Sequence, residues 1–210
     1  MKNAAPQCAK CPSKICLLGP SDEGPKFCPM ITTPDILKDA REVAAKPEIR
    51  KMFRGVARTW KVSGLSKDRI EEVMLYADNM GFKRLGLAFC IGLSDQAKVV
   101  SALFEKRGFE VVSVCCMTGG FSSDDVGLSA DDKLYAEGRQ PQCNPVGQAL
   151  LMNNHQTDLN VLLGLCVGDD ALFITHSEAP VTVLAVKDRI NMHNPLAAIP
   201  EYEKSLGLKT

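Results

Sequence analysis

Four cysteines near the amino terminus are the residues best suited to chemistry. They are Cys8, Cys11, Cys16 and Cys28, with the spacing C-x2-C-x4-C-x11-C-P. Two thiolates three positions apart can bind one metal centre without strain, because a tight turn brings both sulfurs to one side. Two more thiolates from nearby loops complete the coordination shell. The segment therefore predicts a four-thiolate metal site.

The identity of the metal is less tightly determined by the spacing. Zinc ribbons usually carry two C-x2-C pairs, whereas this segment has one. Prolines directly follow Cys11 and Cys28, as in ferredoxin-type ligation. These features favour an iron–sulfur cluster, most simply 4Fe–4S, with zinc as the alternative. Free thiols in a flexible tail are a third interpretation, but four cysteines so close together have little structural use in an intracellular chain without a metal.

A second set of cysteines falls at the ends of predicted strands or the start of a predicted helix. Its members are Cys90, Cys115, Cys116, Cys143 and Cys166. In an open parallel sheet, ligands bind outside the carboxyl ends of the strands. The positions indicate a candidate second metal or substrate site, which only one of the adjacent Cys115 and Cys116 would readily join. The alternative is that all five are ordinary core residues.

Four further residues are predicted to line the crevice at the carboxyl ends of the strands, beside the second set of cysteines. They are Asp169, Lys187, Arg189 and His193. Asp169 follows the third predicted strand, where helix capping is the simpler interpretation and a base or ligand role the alternative. Lys187, Arg189 and His193 follow the fourth predicted strand. A solvated charge cluster is the simpler interpretation of these residues, and a lining of the crevice is the alternative.

The remaining pattern predicts the elements that position these side chains. Residues 1–34 are rich in proline and cannot form a core of their own, so they are interpreted as a cysteine-rich metal module. Residues 35–81 have helical periodicity and are expected to pack on the core. Residues 82–210 alternate strands at 85–91, 111–116, 159–165 and 181–186 with helices. This predicts an α/β Rossmann-like domain whose four-stranded, mostly parallel sheet has the order 2-1-3-4.

Composition excludes several classes of function. The formal net charge is zero, without the basic excess of a nucleic-acid-binding protein. No apolar run approaches the roughly 20 residues that span a bilayer. The first sixteen residues lack a signal-peptide core. We therefore expect a cytoplasmic protein that binds neither nucleic acid nor membrane.

Several longer motifs resemble a known family. They are the four-cysteine amino terminus and the segments FCIGLSDQA, CNPVGQA, GLCVGDDALF and APVTVLAVKDRINMHNP. Together they are similar to uncharacterised cysteine-rich proteins of anaerobic bacteria and archaea, a domain of unknown function to which metal binding is attributed. The resemblance covers nearly the whole chain and implies metal binding in an anaerobic setting.

These observations lead to three hypotheses. The first is an iron–sulfur redox protein that exchanges electrons with a partner protein and carries a second cysteine-lined site. The second is a non-enzymatic zinc- or metal-binding protein with a structural amino-terminal site. The third is a thiol enzyme using Cys90 or Cys166, for which the sequence offers no clear base. The sequence leaves open whether the protein is an enzyme and which small molecule it would act on.

Overall fold

The computed structural model describes residues 4–135 and 138–207. The contacts between its residues divide the chain into two compact units, Met1–Ala57 and Arg58–Thr210. The helices are α1 (Pro29–Thr32), α2 (Pro34–Ala44), α3 (Pro47–Ser63), α4 (Arg69–Met80), α5 (Ser94–Arg107), α6 (Pro145–Asn154), α7 (Asp169–His176) and α8 (Ile199–Leu206). The strands are β1 (Arg84–Phe89), β2 (Glu110–Cys115), β3 (Leu159–Leu165) and β4 (Val181–Val186).

Proline shapes the first unit. The cysteine-rich segment contains two single 3-10 turns, Cys8–Lys10 and Ile15–Leu17. Pro29, Pro34 and Pro47 each begin a helix, because the fixed φ of proline suits the first helical position and its missing N–H is not needed there. Of the described residues between 4 and 34, only Cys28 is buried.

The sheet of the second unit is entirely parallel, with the strand order β2-β1-β3-β4. The predicted fold class, sheet and strand order are thus confirmed. β1 and β3 are central, and all seven residues of β3 are buried. β1 ends at Phe89 and β2 at Cys115. Cys90 and Cys116 therefore follow their strands instead of ending them.

Helices cover both faces of the sheet. One core cluster joins Leu85 and Leu87 of β1 to residues of α4 and α5, such as Ala77 and Phe104. The other joins Ala88 of the same strand to residues of α6 and α7. The alternation of side chains along β1 thus supplies both cores.

Two local features lie in the connections between strands. Ser94 is the first residue of α5, and its hydroxyl donates to the Ile91 carbonyl at 2.7 Å. Between β2 and α6, Ala130–Asp132 forms a 3-10 turn. Within the described parts of the chain, no helix is both long and apolar enough to cross a membrane.

Candidate functional site

All four amino-terminal cysteines line one cavity of about 120 Å³. Its wall also contains Lys14 and the apolar residues Ile15, Phe27, Pro29 and Met30. A water molecule occupies about 30 Å³ in the liquid, so the cavity has room for a group larger than one water molecule. The cavity combines soft sulfur donors with an apolar wall.

Local backbone turns bring these sulfurs together. The amide of Cys11 donates to the Cys8 carbonyl at 3.1 Å, which closes the turn between the first pair. Lys14 then adopts a left-handed conformation with φ +46°, and the chain reverses before Cys16. Cys28 precedes α1, and its carbonyl accepts from the Ile31 and Thr32 amides at 2.9 Å. Each sulfur is thus fixed by a short local motif.

Hydrogen-bond donors surround the Cys11 sulfur. The backbone amides of Lys14 and Ser13 point to it, and the Ser13 hydroxyl lies 3.7 Å away. These hydrogen bonds, with the Lys14 amide as the largest contribution, hold the pKa of the Cys11 thiol below its usual value. Successive amides around a left-handed residue form the anion-binding concavities found at many iron–sulfur sites. The surroundings of Cys11 therefore favour a thiolate.

Cysteines of the second set meet at the carboxyl edge of the sheet. The Cys116 thiol interacts with the side chains of Cys143, Cys90 and Cys115. The backbone explains this meeting, because the Asn144 amide donates to the Cys116 carbonyl at 2.7 Å and brings the start of α6 against the end of β2. Cys90 and Cys116 are buried, whereas Cys143 is partly exposed.

Asp169 connects Cys143 to Cys166. Its carboxyl group interacts with both thiols. The neighbouring Asp170, and not Asp169, accepts from backbone amides at the start of α7, from Gly168 at 3.1 Å and from Ala171 at 2.8 Å. The guanidinium of Arg189 donates to the Cys166 sulfur at 3.4 Å.

The other predicted residues are placed differently. The Lys187 ammonium and the Cys90 sulfur both lie beside Gly92. The His193 Nδ1 atom is 3.2 Å from the Asp188 amide and 3.1 Å from the Val186 carbonyl, so its ring closes the loop after β4. Asp169, Lys187 and Arg189 thus lie near the thiols, whereas the described contacts of His193 are within its own loop.

The thiols of the crevice, meaning the five cysteines of the second set, perturb one another electrostatically. The hydrogen bond from Cys143 is the main cause that lowers the pKa of Cys116, to about 6. The same interaction, together with burial, raises the pKa of Cys143. Burial also raises the pKa values of Cys115 and Asp169. The hydrogen bond to the Cys166 sulfur raises the pKa of Arg189.

Two residues that shape the crevice were missed by sequence reasoning. Gln148 is fully buried on α6, and its amide donates to the carbonyls of Val114 at 2.7 Å and Phe89 at 3.3 Å. Gly164, with φ +69°, lies where the β3–β4 pairing shifts register, just before Cys166. A Cβ atom there would lie 2.3 Å from Leu93 Cδ1. A buried glutamine in a helix gives no sequence signal, whereas a glycine inside an apolar strand does suggest a bulge.

Neither set forms a preformed single-ion site. Among the residues that the structure describes, no group of three or more His, Cys, Asp or Glu side chains is arranged to hold one metal ion. What the structure shows is four thiols around one cavity in the first unit and five clustered thiols in the second.

These features define an α/β protein with a parallel Rossmann-like sheet and two groups of cysteines. Residues 28–184 match the family described as "Protein of unknown function (DUF1847)". The chain is also 36% identical over 193 residues to the uncharacterized protein MJ0455 of Methanocaldococcus jannaschii. This alignment covers 92% of this chain and 93% of that protein. The chain belongs to the DUF1847 family. The matched segment begins at Cys28 and includes all five cysteines of the crevice.

Proposed function

We propose that the protein is an iron–sulfur redox protein whose amino-terminal cluster is held by Cys8, Cys11, Cys16 and Cys28. The observation that carries this proposal is the single cavity lined by all four thiols. Four thiolates without nitrogen or oxygen donors suit soft metals, above all zinc and iron–sulfur clusters. When bound, a 4Fe–4S cluster supplies reversible one-electron transfer.

The size of the cavity favours a cluster over zinc. Tetrahedral zinc is surrounded by its four sulfurs at about 2.3 Å, which leaves no space between metal and ligands. A cavity of about 120 Å³ instead suits a group of several atoms. Its apolar side chains, including Phe27 and Met30, would shield such a group from water.

Access from solvent favours a redox role over a purely structural one. Cys8 and Cys16 are exposed, and Leu17 and Leu18 directly after Cys16 are exposed as well. A redox partner protein could therefore approach one side of the sulfur set closely, while Cys28 is buried on the other. The backbone amides at Cys11 would stabilise thiolate ligands in either oxidation state.

The test is metal analysis of protein purified without oxygen. Replacing Cys11→Ser should remove about four iron and about four acid-labile sulfide per chain relative to wild type, because one of the four ligands of a 4Fe–4S cluster is lost. Wild-type visible absorbance should bleach on addition of dithionite.

Ser13→Ala is the matched control, because it changes a neighbour of the Cys11 sulfur without removing a ligand. This variant should keep its iron. Equal iron in wild type and Cys11→Ser would contradict the proposal. Loss of about one zinc in place of iron would show a structural zinc site instead.

A further inference from the structure

We propose that the crevice at the carboxyl edge of the sheet holds a second iron–sulfur cluster, with Cys90, Cys116, Cys143 and Cys166 as its ligands. The four cysteines come from four separate segments: the ends of β1, β2 and β3 and the start of α6. Cys116 interacts directly with Cys90 and Cys143, and Asp169 joins Cys143 to Cys166. None of these four cysteines lines the amino-terminal cavity.

The arrangement of the thiols suits a polynuclear centre. Four sulfurs are the donors that soft metals and iron–sulfur clusters require. The carboxyl group of Asp169 interacts with both Cys143 and Cys166, so these two thiols reach the same side chain from different segments. A cluster spaces its thiolates more widely than a single ion does.

Charges and amides around the crevice suit a set of anionic sulfurs. Arg189 donates to Cys166 at 3.4 Å and also interacts electrostatically with Cys90 and Cys143. The Lys187 ammonium lies beside Gly92, next to the Cys90 sulfur. The Ile91 amide donates to the Cys116 sulfur at 3.3 Å. Hydrogen bonds to the sulfurs are one of the means by which proteins tune such clusters.

Contacts also distinguish between the adjacent cysteines that follow β2. Cys116 is 2% exposed and interacts with both Cys90 and Cys143. The Cys115 sulfur also interacts with Cys116 and, electrostatically, with Cys90, but it accepts from the Met117 amide at 3.4 Å within its own turn. We therefore assign Cys116 as the ligand and Cys115 as a neighbour of that ligand.

The experiment begins with the Cys11→Ser chain, purified and reconstituted without oxygen with iron and sulfide, so that the crevice is measured alone. It should retain about four iron, and wild type should contain about eight. Adding Cys90→Ala and Cys166→Ala should reduce iron below about one per chain and abolish the electron paramagnetic resonance signal of the dithionite-reduced protein. Adding Cys115→Ala to Cys11→Ser should leave the iron content at about four per chain, because Cys115 is not one of the four proposed ligands.

The outcomes separate this inference from the proposed function. A wild type with about four iron, all lost in Cys11→Ser, would overturn the second cluster and leave the first intact. A disulfide between Cys116 and Cys143 in such a protein would identify the crevice as a redox dithiol. If the multiple variants misfold by circular dichroism, the wild-type stoichiometry decides, because two 4Fe–4S clusters require about eight iron and about eight sulfide per chain, and about four of each overturns the inference.

Discussion

Gln148 shows how a single side chain organises the carboxyl edge of the sheet. Its amide nitrogen bridges the ends of β1 and β2 through the carbonyls of Phe89 and Val114. Its side-chain oxygen is buried, and no described residue hydrogen-bonds to it. The two donated bonds stabilise the strand ends, whereas the unpartnered oxygen opposes them, since buried polar groups are costly when unpaired.

Replacing Gln148→Leu should lower the free energy of unfolding by about 1–2 kcal/mol, because the two lost hydrogen bonds outweigh removal of the unpartnered oxygen. Urea denaturation of the metal-free protein measures this change. The matched control is Gln96→Leu, because Gln96 is an exposed residue of α5. This substitution should change the free energy of unfolding by less than about 0.5 kcal/mol. An unchanged or raised stability of Gln148→Leu would show that the oxygen dominates.

At the scale of secondary-structure elements, β3 ends in a bulge that precedes Cys166. The pairing with β4 shifts register on both sides of Leu163, and Gly164 adopts a left-handed conformation there. Bulges of this kind redirect the side chains that follow. Cys166 comes two residues later, so the bulge helps to set where its sulfur lies.

Gly164→Ala should destabilise the protein by about 2–4 kcal/mol, since the left-handed backbone costs about 1–3 kcal/mol and the new methyl group would clash with Leu93. Gly81→Ala is the matched control. Gly81 has a similar φ of +77°, and a Cβ there would meet no atom within 4 Å.

Thermal and urea unfolding of both variants separate the clash from the backbone cost. Equal destabilisation of Gly164→Ala and Gly81→Ala would show that Leu93 can move aside and that the close packing is not required.

At the scale of the whole molecule, two units depend on different sources of order. The second unit, Arg58–Thr210, contains both core clusters on either face of the sheet. In the first unit, the described residues 4–34 bury only Cys28. If the proposed amino-terminal cluster is present, a segment with so little buried apolar surface should depend on it for order.

Destroying the proposed amino-terminal cluster with oxygen and a chelator should therefore make residues 4–33 sensitive to limited proteolysis. The second unit should resist the protease, and far-ultraviolet circular dichroism should change little. Mass spectrometry of the fragments locates the cuts, with untreated protein kept anaerobic as the control. Equal resistance of residues 4–33 in treated and untreated protein would show that this segment is ordered without a metal.

Local sequence patterns were sufficient to predict the parallel sheet and the general location of the second cysteine set. Apolar runs of strand length alternate with helical periodicity, and right-handed crossovers then require parallel strands whose carboxyl ends share an edge. Several strand orders satisfy these rules, so the order 2-1-3-4 was a choice among them, which the structure confirms. The spacing of Cys8 and Cys11 likewise predicted a turn that brings two sulfurs together.

Which side chains meet at the crevice depends on long-range packing, which local patterns do not specify. The choice of Cys116 over Cys115 depends on contacts with Cys90 and Cys143, which are distant in sequence. The roles of Gln148 and of the two aspartates, and the loop-closing contact of His193, depend on atoms of other segments or on exact backbone turns. Hydrophobic periodicity specifies where a strand lies, but the directions of side chains beyond its end are set by long-range packing.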